Sequence, residues 1–134
     1  MNVVEIMTRK LETVDADAPI YDAIEKMIDK RIRSLLVKPK DDKDVHGVVT
    51  VRDIVNKALL KNLDLNKAKV RDIASKPLVC VDKDMDVEFA VNLMSKFNIA
   101  RVFVNHGKEI IGIISLLDVL SAALIRRARE GHRV

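Results

Sequence analysis

The sequence has one cysteine, Cys80, no tryptophan, and only one tyrosine and three phenylalanines among its 134 residues. A single cysteine excludes a disulfide within the chain and cannot build a zinc site alone. So few aromatic rings provide little of the surface on which single-stranded nucleic acids stack their bases. Because there is only one cysteine, we expect a reducing, cytoplasmic setting for this protein.

Long apolar runs are also missing, since none approaches the roughly 18–20 residues that cross a bilayer. The first ten residues mix Glu5 and Arg9 with apolar side chains, which is not the pattern of a signal peptide. Apolar residues make up 49% of the chain and charged residues 33%, a composition typical of globular proteins. We expect no membrane partner, and either one compact domain or two small units that share a core.

The net charge of +4 is unevenly distributed along the chain. Residues 126–134 contain four of the 24 basic residues and one of the 20 acidic residues, so this tail has a net charge of +3. The rest of the chain therefore has a net charge of only +1. The tail could bind nucleic acid or an acidic protein surface, or interact with the dipole at the end of a helix, which is the default interpretation.

The chain contains an internal repeat at an offset of 67 residues. Residues 3–37 match residues 70–104 with ten identities in 35 positions, and the block 47–55 (GVVTVRDIV) then matches 112–120 (GIISLLDVL). Order and spacing are preserved over almost the whole chain. We conclude that the sequence arose by duplication.

Each copy predicts the element order β-α-β-β-α, which places the protein in the mixed α/β class. After Pro19, the apolar residues Ile20, Ala23, Ile24, Met27 and Ile28 form one helical stripe. We predict strands at 35–37, 47–50, 102–104 and 110–115, and closing helices at 51–60 and 117 to about 129. The predicted organisation is repeat 1 (1–60), a rigid or helical connector (61–69), repeat 2 (70–125) and the basic tail (126–134), with the repeats packed through their sheets in pseudo-two-fold symmetry.

The repeated block Gly-apolar-apolar-Thr/Ser-x-x-Asp lies where a strand ends and a helix begins. Thr50 and Ser115 stand at helix starts, where unpaired N–H groups favour an anion. Asp53 and Asp118 follow three residues later, and a carboxylate can accept hydrogen bonds from the vicinal diol of a ribose. The block therefore suits a ribonucleotide. The alternative is that Thr50 and Ser115 only cap their helices.

With these two blocks, each preceded by a helix and a hairpin, the chain resembles a tandem pair of CBS (cystathionine β-synthase) domains, a Bateman module, over residues 1–125. Residues 4–8 and the strand 32–37 contribute to the resemblance. It implies a regulatory module that binds AMP, ADP, ATP or S-adenosylmethionine in clefts between the repeats, with no catalytic cofactor. It also implies a homodimer and an unidentified regulated protein partner.

The resemblance assigns residues of both copies to each of two sites. Site one would combine Thr50, Arg52 and Asp53 with Leu78, Val79, Cys80, Ile99, Ala100 and Arg101. Site two would combine Ser115 and Asp118 with Leu11, Glu12, Thr13, Ile32, Arg33 and Ser34. Arg52 and Arg101 favour site one as the tighter phosphate site, because guanidinium groups bind phosphate through paired hydrogen bonds. The alternative is that these arginines are only surface charges.

Nothing in the sequence indicates an enzyme or a metal site. The motifs of a Walker loop, an HExxH zinc site and a hydrolase triad are absent, and His46, His106 and His132 are far apart. The run 41–44 lacks the Gly and Glu of a calcium loop and is interpreted as a solvated hairpin tip. Two alternatives to the nucleotide sensor remain: a nucleic-acid-binding protein that uses the arginine tail, and a structural dimer with empty clefts.

Overall fold

The structure is a computed structural model and describes residues 1–131, which form two compact units. The central unit consists of residues 12–78, and the terminal unit combines residues 1–11 with the chain from residue 79 onward. These units do not coincide with the sequence repeats. The segment that opens each copy belongs to the unit built around the other copy.

The elements follow in the order that the repeat predicts, and the mixed α/β class is confirmed. In chain order they are α1 (Val3–Ile6), β1 (Thr13–Asp15), α2 (Ile20–Lys30), β2 (Ser34–Lys38), β3 (Gly47–Thr50), α3 (Val51–Asp53) with its π-helical continuation (Ile54–Leu59), a 3₁₀ turn (Val70–Asp72), β4 (Cys80–Asp82), α4 (Val87–Phe97), β5 (Arg101–His106), β6 (Glu109–Ser115) and α5 (Leu116–Arg129).

Each unit contains one three-stranded sheet of the same topology. In the central unit β1 is parallel to β2, and β2 is antiparallel to β3. The terminal unit repeats this arrangement with β4, β5 and β6. The parallel pair needs a crossover connection, which α2 provides in one unit and α4 in the other.

The helical stripe predicted for α2 packs against the core of the central unit except at its end. Ile20, Ala23 and Met27 lie in the core of the central unit, whereas Ile28 is 69% exposed. Successive residues of an α-helix point about 100° apart, so Ile28 turns away from the face on which Met27 lies. Ile28 therefore belongs to the apolar stripe of the sequence but not to the core.

The opening segments fill the cores of the units to which they belong. Val3 and Met7 pack among the buried residues of the terminal unit, with Met94 and Ile114. In the central unit, the buried residues supplied by the opening segment of the second copy are Val70 and Ile73. Each core is thus completed by chain from the other copy of the duplication.

The same segments each form an isolated β-bridge with the last strand of a sheet. The glycine of the repeated block leaves space for that bridge. Thr8 pairs with β6, and Ser75 pairs with β3. A Cβ atom built on Gly112 would lie 3.0 Å from the carbonyl oxygen of Thr8, and one on Gly47 would lie 2.9 Å from that of Ser75. A main-chain segment therefore approaches each glycine closely.

The connector 61–69 is docked but not helical. Its backbone forms turns, with Asn62 at a positive φ of 55°. The carbonyl oxygens of Leu65 and Ala68 accept hydrogen bonds from the first two N–H groups of α2, at 3.2 and 3.1 Å. Both side chains also pack against the core of the central unit. Of the two forms predicted for the connector, rigid or helical, the helical one is absent, and these contacts hold the segment in place.

Candidate functional site

The first copy of the repeated block forms a reciprocal cap at the start of α3. The Thr50 hydroxyl oxygen accepts a hydrogen bond from the Asp53 backbone N–H at 3.1 Å, and Asp53 Oδ2 accepts one from the Thr50 N–H at 3.0 Å. Thr50 has extended backbone angles, as an N-cap residue does. The two side chains therefore satisfy each other's backbone donors in a capping box.

The second copy forms the same cap at the start of α5, with one additional bond. Asp118 Oδ2 accepts from the Ser115 N–H at 2.8 Å, and the Ser115 hydroxyl oxygen accepts from the Asp118 N–H at 3.2 Å. The Ser115 hydroxyl also lies 3.1 Å from Asp118 Oδ2, to which it donates. The capping role proposed for Thr50 and Ser115 is thus present in both copies.

Within each unit, the start of the middle strand lies beside this cap. Ser34 is opposite Thr50, and the Val51 N–H donates to the Arg33 carbonyl oxygen at 3.0 Å. In the terminal unit Arg101 is opposite Ser115. The structure therefore brings each predicted hydroxyl–carboxylate pair together with the strand start of its own copy.

The N–H groups at the two helix starts are less available to an anion than the sequence suggested. The Asp53 N–H is used by the cap, and the Val51 N–H by the neighbouring strand start. In α5 the Leu116 N–H likewise donates to the Ala100 carbonyl oxygen, at 3.0 Å. Two of the first three N–H groups of each helix are therefore already used.

Lys57 lies beside the Thr50–Asp53 turn, and the sequence reasoning missed it. Its Nζ lies 3.1 Å from Asp53 Oδ1 and 3.2 Å from the carbonyl oxygen of Ile73. The Asp53 side chain is only 14% exposed and that of Lys57 is 44% exposed. The i,i+4 spacing of Asp53 and Lys57 is a signal that the sequence contains. No such signal exists for the contact with Ile73, because that contact depends on how residues 70–74 pack in the folded chain.

Of the remaining predicted site residues, Glu12 and Thr13 lie at the start of β1, and Val79 and Cys80 lie at the start of β4. In the central unit Thr13 is opposite Leu36, and the Glu12 carbonyl oxygen accepts from the Leu36 N–H at 3.0 Å. In the terminal unit Cys80 is opposite Phe103, and the Val79 carbonyl oxygen accepts from the Phe103 N–H at 3.0 Å. Their roles toward a ligand stay predictions, as do those of Leu11, Ile32, Leu78 and Ile99.

Cys80 is half-buried on β4, and burial raises the pKa of its thiol. A thiol with a raised pKa is a poor nucleophile, because the reactive thiolate is scarcely populated near neutral pH. Within residues 1–131, no three His, Cys, Asp or Glu side chains are grouped in a way that could hold a metal ion.

The basic tail begins as the last turn of α5. Arg126, Arg127 and Arg129 are exposed, and Arg126 Nε lies 3.1 Å from Glu130 Oε1. Arg133 and His132 lie outside the described residues. The helix is not long and apolar enough to span a membrane, and the same holds for every other helix in the described part of the chain.

A sequence model of the CBS domain matches residues 3–59 and again residues 70–125. This chain belongs to the CBS domain family. An uncharacterized protein of Methanopyrus kandleri is 30% identical over 121 residues, which cover 90% of this chain and 61% of that protein. The first curated relatives are longer than this CBS pair, which spans between 43 and 64% of their length.

Solved structures of CBS proteins have the same fold. A hexameric CBS-CP12 protein from bloom-forming cyanobacteria is 36% identical, with a TM-score of 0.82, over 90% of this chain and 69% of that one. A CBS domain protein from Pyrobaculum aerophilum, complexed with AMP, is 26% identical, with a TM-score of 0.81, over 96% of this chain and 99% of that one. The predicted family and fold are therefore confirmed.

Proposed function

We propose that this CBS pair is a non-catalytic regulatory module that binds an adenosine-containing nucleotide and changes the surface it offers to a partner protein. AMP, ADP, ATP and S-adenosylmethionine are the candidate ligands. Such a module works only if the ligand binds one conformation better than another.

One observation carries the ligand class. The AMP-complexed protein from Pyrobaculum aerophilum matches this chain over 96% of its length, with a TM-score of 0.81. The two caps add a chemical argument, because each holds a carboxylate that is rigidly positioned by a backbone N–H. A fixed carboxylate can accept hydrogen bonds from both hydroxyls of a ribose without losing side-chain entropy on binding.

The residues proposed to bind the ligand are those predicted from the sequence. The hydroxyl–carboxylate pairs are assigned to the ribose and the phosphate, and the other residues predicted for each site are assigned mainly to the base. The individual contacts of Arg33, Arg52 and Arg101 with a phosphate are part of the proposal. So is the cytoplasmic setting suggested by the single cysteine.

Titration calorimetry with AMP, ADP, ATP and S-adenosylmethionine tests the ligand class. We expect Asp53→Asn and Asp118→Asn each to abolish or weaken binding at one site by more than ten-fold, because a hydrogen bond to a charged group contributes about 1.5–3 kcal/mol. Asparagine keeps an oxygen that can accept from the N-cap N–H, so these variants test binding with the cap retained.

A matched control is Asp29→Asn, which removes one negative charge from an exposed position on α2. This control should bind nucleotides like the unsubstituted protein. If no adenosine-containing ligand binds, or if binding persists unchanged in the Asp53→Asn, Asp118→Asn double variant, the proposed function is wrong. Strongly salt-dependent nucleic-acid binding that requires residues 126–134 would favour the alternative function.

We further propose that the protein is a homodimer and that α5 is part of the contact. Leu117, Leu120 and Leu124 lie on one face of α5 and are 71%, 65% and 68% exposed. A stripe of this kind is typical of an interface. A second copy has the same stripe, so the contact can be self-complementary about a two-fold axis. The hexameric CBS-CP12 protein, 36% identical to this chain, supports self-association.

A further inference from the structure

Lys57 is held by two acceptors of the central unit. Its Nζ contacts Asp53 Oδ1 at 3.1 Å and the Ile73 carbonyl oxygen at 3.2 Å. An ammonium group with two fixed oxygen partners keeps its position better than one on a free side chain. The positive charge of Lys57 is therefore a constant part of the Thr50–Asp53 turn.

The second turn, Ser115–Asp118, has no basic residue at the position that corresponds to Lys57. Four residues after Asp118 stands Ala122, which is buried. The second turn has a basic neighbour of another kind, Arg101, on the adjacent strand opposite Ser115. A lysine four residues after the aspartate is therefore found at the first turn and not at the second.

The hydroxyl groups of the two turns also differ. The Ser115 hydroxyl donates its proton to Asp118 Oδ2, at 3.1 Å. The Thr50 hydroxyl oxygen accepts a hydrogen bond from the Asp53 N–H, but the hydroxyl proton has no acceptor within residues 1–131. A threonine hydroxyl can accept and donate at the same time. The first turn therefore has a donor that can bind an anionic oxygen.

The carboxylate of Asp53 is needed for the ribose but repels a phosphate that is attached to the same ligand. Lys57 offsets that repulsion, because its ammonium group lies in contact with the carboxylate. We infer that Lys57 is a specificity-determining residue, which makes the Thr50–Asp53 turn prefer a phosphorylated nucleoside to the uncharged nucleoside. This inference rests on the proposed function, since it assumes that the turn binds the ribose.

The test compares AMP with adenosine in the full chain, in an Asp118→Asn background that leaves only the first turn to bind ribose. Dissociation constants are measured by titration followed through amide NMR shifts. Lys57→Met removes the charge and keeps much of the apolar stem. We expect the ratio of the adenosine to the AMP dissociation constant to fall about five-fold, as the loss of one charge near a phosphate implies at an intermediate dielectric constant.

Two further variants separate the charge from the packing. Lys57→Arg should keep most of the preference for AMP. Lys61→Met removes an equal charge from an exposed position four residues later, and the ratio should stay within two-fold because exposed charges are screened.

The outcomes distinguish this inference from the proposed function. An unchanged ratio in Lys57→Met, with Asp53→Asn still weakening the binding of both ligands, overturns the inference and leaves the function standing. An equal loss of affinity for both ligands overturns it as well, since that result indicates a structural role of Lys57. If neither ligand binds the unsubstituted protein, the proposed function is wrong and the inference with it.

Discussion

At the scale of single residues, the two observed contacts of the Asp53 carboxylate are compatible with the ribose contact proposed for it. One oxygen, Oδ2, caps the helix through the Thr50 N–H, and the other, Oδ1, is paired with Lys57. A carboxylate has about four lone-pair sites, so it can still accept from a ligand. The Thr-x-x-Asp pattern predicted the cap and the ligand role. The pairing of Lys57 with Ile73 was decided by tertiary packing.

A second residue-scale feature is the ion pair between Asp44, in the β2–β3 loop, and Lys76. The Lys76 ammonium lies 2.7 Å from Asp44 Oδ1 and, together with the Lys40 and Val45 N–H groups, lowers the pKa of Asp44 to about 2. Because this pKa lies below the unfolded value, the contribution to stability is present above about pH 4 and is lost as the pH falls toward 2.

We predict that Lys76→Met raises the pKa of Asp44 toward its ordinary value of 3.8. It should also reduce the acid dependence of stability between about pH 4 and pH 2. A pH titration of the Asp44 carboxyl carbon by NMR measures the pKa directly. Lys43→Met, in the same loop, is the matched control. A pKa that stays near 2 in Lys76→Met would show that the ion pair has no part in the shift.

At the scale of secondary-structure elements, the opening segment of each copy depends on a glycine in the strand that it joins. The hydrogen bonds between Thr8 and Ile113 measure 2.8 and 3.0 Å, which places the segment directly against β6. The repeated block places a glycine at the same position of each strand, and a glycine lets another group approach its backbone closely. That this group is a main-chain segment from the other copy could not be predicted, because the glycine alone does not identify its neighbour.

We predict that Gly112→Ala destabilises the protein by about 1–3 kcal/mol, the cost of overpacking a filled site. The added Cβ would lie 2.5 Å from Met7 Sδ and 3.0 Å from the Thr8 carbonyl oxygen, so both the Met7 side chain and the backbone of that segment must give way. Gly47→Ala should have a similar effect, since its Cβ would lie 2.9 Å from the Ser75 carbonyl oxygen. Urea unfolding measures both effects.

The control for the glycine variants is Lys108→Ala, at an exposed position in the β5–β6 turn. Exposed substitutions of this kind usually change stability by no more than about 0.5 kcal/mol. A change as small as this in both glycine variants would mean that the opening segments are not packed against the strands as described.

At the scale of the whole molecule, the exposed stripe on α5 leads to a prediction about oligomeric state. If a second copy covers Leu117, Leu120 and Leu124, then Leu120→Glu places an unpaired charge in an apolar contact. We expect sedimentation equilibrium to give a dimer for the unsubstituted protein and at least a ten-fold weaker association for Leu120→Glu.

Val45→Glu is the matched control for this experiment, because it adds the same charge at a half-exposed apolar position in a loop. Its association should equal that of the unsubstituted protein. A monomer in the absence of any substitution, or an unweakened dimer in Leu120→Glu, would contradict a role for the α5 stripe in self-association.

The sequence by itself determined the duplication, the element order and the Thr/Ser-x-x-Asp caps, because these depend on local spacing and helix-start chemistry. Only the tertiary structure decided which segment completes which core. Val3 and Val70 are equivalent in the repeat, and both are fully buried, each in the unit built around the other copy. Two similar copies present similar apolar surfaces, so local pattern cannot tell a segment's own sheet from its counterpart. Packing of the folded chain makes that choice.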